Sequence, residues 1–145
     1  MSRRPGPSVP YRRPPAGIRT AVLAPLLAAD AAAAQGRRFL TEHLAAWQLH
    51  GRLTDRAKLL TSELITNAVR HAPPPLGIHV DLDAHRLRVE VYDSSATPPA
   101  LTRPDFSHRG GRGVWLVDAM SSRWGHRLHP PGKAVWFEID LATDR

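Results

Sequence analysis

Three consecutive prolines, Pro73 to Pro75, separate a helical pattern from a strand pattern in the middle of the chain. Before them, Ala57, Leu60, Leu64, Ala68 and His71 form one stripe at helical spacing. Because proline clashes with the preceding helical turn, this helix must end by about residue 72. After them, apolar and polar residues alternate over 78–83 and 87–92, which is typical of two half-buried strands. A helix followed by a hairpin, turning at residues 83–85, indicates an α/β chain.

The flanking segments complete a β-α-α-β-β-α-β-β order. The apolar run over 20–28 is predicted to be an edge strand, because Pro25 lacks a backbone N–H and is tolerated only at an edge or a bulge. Asp30 lies where the N-cap of a first helix over 31–50 is expected, and Thr54 or Asp55 where that of the second is expected.

The second half supplies a loop, a helix and a second hairpin. Residues 94–111 have no period and predict a long functional loop. A third helix is predicted from Gly113, and strands over 123–129 and 134–141. Hairpin-linked strands separated by helices predict an α/β two-layer sandwich. Its sheet is expected to be mixed but mostly antiparallel, with the helices on one face.

Composition limits the function classes. At 145 residues, 42% of them hydrophobic, the chain has material for one domain. Arginine and proline crowd residues 1–18, which cannot bury a core, so we expect a disordered tail there and one domain over 19–145. The net charge of +7 lies partly in this tail, which disfavours nucleic acid as the main partner. No apolar stretch reaches the roughly 18 residues that a membrane span needs. Cysteine is absent, which suits a reducing compartment.

The second helix carries polar side chains at a repeated spacing. Glu63, Asn67 and His71 follow one another at intervals of four, and Arg70 lies seven residues after Glu63, so these groups project along nearly one side. A solvated helix face is the alternative reading. Asparagine is a poor residue for a helix interior, however, which points to a ligand.

Two further segments have residue types suited to a nucleotide. Asp93 ends the third predicted strand where the loop opens, and its carboxylate can accept a hydrogen bond from an exocyclic amine; an ordinary strand-end aspartate is the alternative. Gly111, Arg112 and Gly113 precede the third helix, where backbone N–H groups and the helix dipole favour phosphate. A flexible glycine turn is the alternative there.

In this order, the motifs resemble those of the GHKL (Bergerat) superfamily. Ser62 to Ala72 are similar to its N-box, Val91 to Ser95 to its G1 box, and Gly111 to Val117 to its G2 box. With the final strand motif Gly132 to Trp136, the closest likeness is to the stand-alone anti-sigma regulatory serine/threonine kinases of actinobacteria. It covers about residues 20–141.

The resemblance implies ATP and Mg²⁺ as cofactors and gives each matching residue a role. Glu63 would be the general base, and Asn67 the Mg²⁺ ligand. Arg70 and His71 would lie near the nucleotide. The residues implied in nucleotide binding through the G1 and G2 boxes are Asp93 and Ser95, at the adenine, and Gly111, Arg112, Gly113 and Val114, at the phosphates.

The resemblance also implies a function. The expected activity is that of a cytoplasmic protein serine/threonine kinase in transcription regulation, which phosphorylates an anti-sigma-factor antagonist and regulates a sigma factor. A homodimer is compatible with the likeness. The alternatives are a non-catalytic, ATP-dependent protein-binding switch and, less favoured, a nucleic-acid binder acting through the basic tail.

Overall fold

The computed structural model describes residues 18–26, 30–72, 76–95, 99 and 113–141. The predicted tail, apart from residue 18, lies outside these residues, as does most of the predicted loop. The five strands and three helices follow the predicted order: β1 (Arg19–Leu26), α1 (Ala32–Ala46), α2 (Arg52–His71), β2 (Leu76–Leu82), β3 (Arg86–Asp93), α3 (Gly113–Met120), β4 (Arg123–His129) and β5 (Gly132–Asp140).

The strands form one sheet in the order β1-β2-β3-β5-β4. All four pairings between the described strands are antiparallel. The two-layer α/β sandwich is therefore confirmed, and the part of the sheet that is described contains antiparallel pairs alone. Strand β5 lies between β3 and β4, so it joins the central hairpin to the C-terminal one.

Strand β1 is an edge strand with an irregularity at its proline. Its register with β2 shifts between Leu23 and Leu26, the interval that contains Pro25. Proline cannot donate to the ladder, so the chain places it where pairing is interrupted. The prediction of an edge strand is confirmed among the described strands.

Both predicted helix caps are wrong. The N-cap position of α1 belongs to Ala31, one residue after Asp30, and that of α2 belongs to Gly51, three or more residues before Thr54 and Asp55; neither cap has a side-chain hydrogen bond. Gly51 has a φ of +80°, a conformation that side-chain-bearing residues rarely adopt. This glycine lets α2 begin a turn earlier than the capping pattern suggests.

Helix α1 is also shorter than predicted, because it ends at Ala46 and a left-handed residue follows two positions later. Gln48 has a φ of 64°. The N–H of Leu49 then donates to the carbonyl of Leu44 at 2.8 Å, which closes the helix end. The turn brings Leu49 against the core. Packing of this leucine thus outweighs continuation of the helix to His50.

The helices cover one face of the sheet with a continuous apolar core. Leu64 of α2, Val91 of β3 and Phe137 of β5 are among its buried members. Each such side chain contributes roughly 1.5–3 kcal/mol when fully buried. Gly36 lets α1 approach closely, since a Cβ there would stand 2.2 Å from Cδ1 of Ile65.

The opposite face of the sheet has a network of arginines and buried carboxylates. Glu90 lies between Arg88 and Arg127, at 3.3 and 3.0 Å. Glu138 pairs with Arg88 at 3.0 Å. The Arg88 guanidinium also stacks on the ring of Trp136, 4.1 Å from its centroid. Every buried carboxylate named here therefore has a cationic partner, as buried charges require.

Candidate nucleotide site

The predicted polar row on α2 runs from the core to solvent. Glu63 is 7% exposed, Asn67 is half-buried, and Arg70 and His71 are exposed. Arg70 and His71 occupy the last helical turn, where cations interact favourably with the helix dipole. Glu63 and Asn67 are thus set deeper than Arg70 and His71, whose nucleotide contacts stay a prediction.

The carboxylate of Asp93 lies at the end of β3 and is almost fully buried. Its side chain is 1% exposed and that of Lys133, on β5, is 4% exposed. The Nζ atom of Lys133 donates to Oδ1 and to Oδ2 of Asp93, at 3.0 Å each. The backbone N–H of Ser95 donates to Oδ1 at 2.8 Å. The structure therefore brings the predicted residues Asp93 and Ser95 together and adds Lys133 to them.

His126 of β4 lies near this ion pair. Burial lowers the pKa of its imidazole, and the positive charge of Lys133 lowers it further. Its Nδ1 atom is buried and has no hydrogen-bond partner in the described structure. The ring is therefore a neutral neighbour of the Asp93–Lys133 pair near pH 7.

Gly132 allows the close approach of β5 to the end of β3. A Cβ at this position would stand 1.9 Å from the backbone oxygen of Asp93 and 2.7 Å from the backbone carbon of Ser94. No side chain fits at such distances. The glycine therefore fixes how Lys133, the next residue, faces Asp93 in the β3–β5 register.

Glu63 and Asp93 belong to elements that meet on one side of the sheet. Helix α2 packs against both β3 and β5. Val91 of β3 is in the core with residues of α2. Since side chains alternate along a strand, Asp93 points to the same face as Val91. Asp93 thus points to the face of the sheet that is covered by α2, the helix that carries Glu63.

The third predicted segment is described only in part. Gly111 and Arg112 lie outside the described residues. Gly113 is the first residue of α3, and Val114 is buried in the core. The predicted start of α3 is confirmed, and the phosphate contacts of Gly111, Arg112, Gly113 and Val114 stay a prediction.

Sequence reasoning missed Lys133 and His126 as neighbours of the site. Lys133 was part of the strand motif Gly132 to Trp136, but nothing in that motif shows which residue it faces. It lies 40 residues from Asp93 along the chain. The contact could have been found only from the β3–β5 register, which pairs Asp93 directly with Lys133.

A cavity of about 470 Å³ lies at the same end of the sheet. Its lining includes Val22, His79 and Tyr92. In the strand registers, Val22 pairs with His79, and Tyr92 alternates with the core residue Val91. These side chains therefore belong to the face away from the helices. The lining also includes Asp93 and Ser94, so the cavity reaches the base-recognition candidate at the end of β3.

No described helix is both long enough and apolar enough to cross a membrane.

The chain matches a known family over the range that contains the candidate site. Residues 26–139, well over half of the chain, match the family described as the histidine kinase-like ATPase domain. A comparison with curated proteins found no match. The matched range contains every predicted site residue from Glu63 to Val114. The fold, the order of the motifs and this match together show that the chain belongs to the histidine kinase-like ATPase family of ATP-binding domains.

Proposed function

We propose that this domain is an ATP-dependent protein serine/threonine kinase that phosphorylates an anti-sigma-factor antagonist and thereby regulates a sigma factor. The observation that supports it best is the position of Glu63. This carboxylate is buried on α2, one turn before Asn67, on the helix that packs against the strand of Asp93. A carboxylate beside the phosphates of a nucleotide suits a proton acceptor rather than a nucleotide ligand, because like charges repel.

Glu63 would act as general base at the substrate hydroxyl. Its carboxylate takes the proton of a serine or threonine Oγ as that oxygen bonds to the γ-phosphorus and the bond from the γ-phosphorus to the bridging oxygen breaks. The products are a phosphorylated protein and ADP, with the proton on Glu63. Positioned bases of this kind contribute about 10²–10⁴-fold to rate.

Asn67 is suited to hold Mg²⁺. Its amide supplies a neutral oxygen, the hard type of ligand that Mg²⁺ prefers, and Mg²⁺ commonly binds few protein groups besides water and phosphate oxygens. The side chain is half-buried, so it is accessible on one side. When bound, the ion neutralises charge on the phosphates. We assign Asn67 to this role.

The remaining residues would bind the two ends of the nucleotide. Asp93 would accept a hydrogen bond from the amino group of adenine, with Ser95 shaping the adjacent turn. Gly111, Arg112 and Gly113 would bind phosphate through backbone N–H groups and the guanidinium. Val114 anchors the start of α3 in the core and so fixes that end of the phosphate-binding segment.

The test compares Glu63→Gln with Glu42→Gln, a matched change at an exposed glutamate on α1. Calorimetry measures ATP binding with and without Mg²⁺, and radiolabelled ATP measures phosphate transfer to each anti-sigma-factor antagonist of the source organism. We expect the wild type and Glu42→Gln to transfer phosphate. Glu63→Gln should lose about 10²–10⁴-fold in rate while its dissociation constant for ATP changes by less than about threefold.

Three outcomes would contradict parts of the proposal. Equal transfer by Glu63→Gln and wild type would exclude Glu63 as the base. Mg²⁺-dependent ATP binding and antagonist binding, without transfer by the wild type, would favour the protein-binding switch. If Asn67→Ala binds ATP·Mg²⁺ as tightly as the wild type, Asn67 is not the ligand.

A further inference from the structure

Lys133 has no role in the proposed reaction, yet it makes the closest set of contacts to the base-recognition candidate. Its ammonium donates to Oδ1 and Oδ2 of Asp93 and, at 3.2 Å, to the backbone oxygen of Ser95. An ammonium has three N–H donors. All three are therefore used, and the orientation of Lys133 is fixed by two residues at the start of the loop.

The hydrogen bonds of the Asp93 carboxylate show where a ligand can still bind. Oδ1 accepts from Lys133 and from the N–H of Ser95, whereas Oδ2 accepts from Lys133 alone. Each carboxylate oxygen has about two acceptor positions. Among the contacts of the described residues, one position remains, and it is on Oδ2.

We propose that Lys133 is a positioning residue for base recognition, which leaves Asp93 a single acceptor position on Oδ2 for the exocyclic amine of the nucleotide. The proposal rests on the proposed function only in taking Asp93 as the group that contacts adenine. The two hydrogen bonds from the ammonium hold the carboxylate in one orientation, and an ionised carboxylate only accepts hydrogen bonds.

This arrangement selects for an amino group on the base. A 6-amino group donates to Oδ2, whereas a 6-oxo group places a lone pair against it. Lys133 has no N–H left to offer such a carbonyl. A base without any substituent at this position would leave the acceptor on Oδ2 unsatisfied. A hydrogen bond to a charged group typically changes affinity by about 10- to 100-fold.

The experiment measures the ratio of two affinities. Calorimetry of the full chain compares ATP with purine riboside triphosphate, which lacks the amino group, for the wild type, Lys133→Met and Lys133→Arg. The matched control is Lys58→Met, at a partly exposed lysine on α2. We expect the wild type and Lys58→Met to prefer ATP by about 10- to 100-fold, and Lys133→Met to prefer it by less than about threefold. Lys133→Arg should keep part of the preference, since it retains the charge.

The ratio of the two nucleotide affinities distinguishes a positioning role of Lys133 from a general loss of stability. A change that only loosens the fold weakens binding of both nucleotides together and leaves their ratio unchanged. An unchanged ratio in Lys133→Met would therefore overturn the inference while leaving ATP binding and the proposed kinase intact. If Lys133→Met does not fold, Lys133→Arg decides, because an undiminished preference for ATP in that variant would overturn the inference. Failure of the wild type to bind either nucleotide would instead refute the proposed function, and the inference with it.

Discussion

Changing Asp93 to asparagine removes one charge of a buried ion pair and leaves the other in place. The ammonium of Lys133, with a side chain 4% exposed, would then lie in the protein interior without its counter-ion. Breaking such a pair typically costs about 3–5 kcal/mol, because the remaining charge has lost its solvation and gained nothing in return. For a chain of this size that corresponds to a fall in melting temperature on the order of 10 °C. Lys133→Met should lower the free energy of unfolding by a similar amount, because it leaves the buried carboxylate of Asp93 without its cation.

The double variant Asp93→Asn with Lys133→Met should be much less affected than either single variant. It removes both charges, and replacing a whole buried pair by groups of similar size is often nearly neutral. The coupling energy of the cycle is expected to be at least about 2 kcal/mol. Urea denaturation followed by far-ultraviolet circular dichroism would measure all four free energies of unfolding.

The surface pair Asp55 and Lys58 supplies the control. Its atoms are 4.0 Å apart and its side chains are 79% and 33% exposed. Lys58→Met should change the free energy of unfolding by no more than about 0.5 kcal/mol. Additive effects of Asp93→Asn and Lys133→Met, or single effects as small as that of Lys58→Met, would refute the claim that the pair is buried and mutually dependent.

Three further outcomes can be checked by thermal or urea denaturation. Gly132→Ala should destabilise the fold by more than about 3 kcal/mol, since its Cβ would stand 1.9 Å from the backbone oxygen of Asp93; an unchanged midpoint would show that β5 can move away. The lowered pKa of His126 means that the unfolded chain takes up this proton first, so stability should fall as pH drops below about 6.5, and less so in His126→Gln than in wild type. The pKa of Asp140 is lowered by its hydrogen bond from Arg123, so Asp140→Asn should reduce stability near pH 7. That reduction should shrink as the pH falls below about 3.8, and it should vanish in 1 M salt.

The order of the elements could be predicted because local patterns determine it. The proline run ends α2 wherever the tertiary structure places it, and the alternation of β2 and β3 fixes which residues face the core. The predicted N-caps of α1 and α2 were wrong because a capping side chain is only one way to begin a helix. Gly51 and Ala31 begin theirs without side-chain hydrogen bonds, and packing of Leu49 decides where α1 ends.

Site residues that lie on one segment could be placed together from the sequence. Contacts between residues of two different segments could not. Glu63 and Asn67 could be placed together because both lie on α2. The contact of Lys133 with Asp93 depends on β5 lying beside β3 in one register, which no short stretch of sequence encodes. His126 depends on the same arrangement, because its neighbour Lys133 comes from the adjacent strand.

Two charged residues, Lys133 and Glu138, help to fix the pairing register of strand β5. Residues Ala134 to Phe137 are apolar without interruption and all are buried, so apolar burial alone would tolerate a slip by one residue. Such a slip would exchange the two faces of the strand. It would turn Lys133 away from Asp93 and bring Glu138 under the helices. Lys133 and Glu138 lie at the two ends of the strand and on opposite faces of it. A shift by one residue would therefore break the ion pairs of both, which makes the shifted register unfavourable.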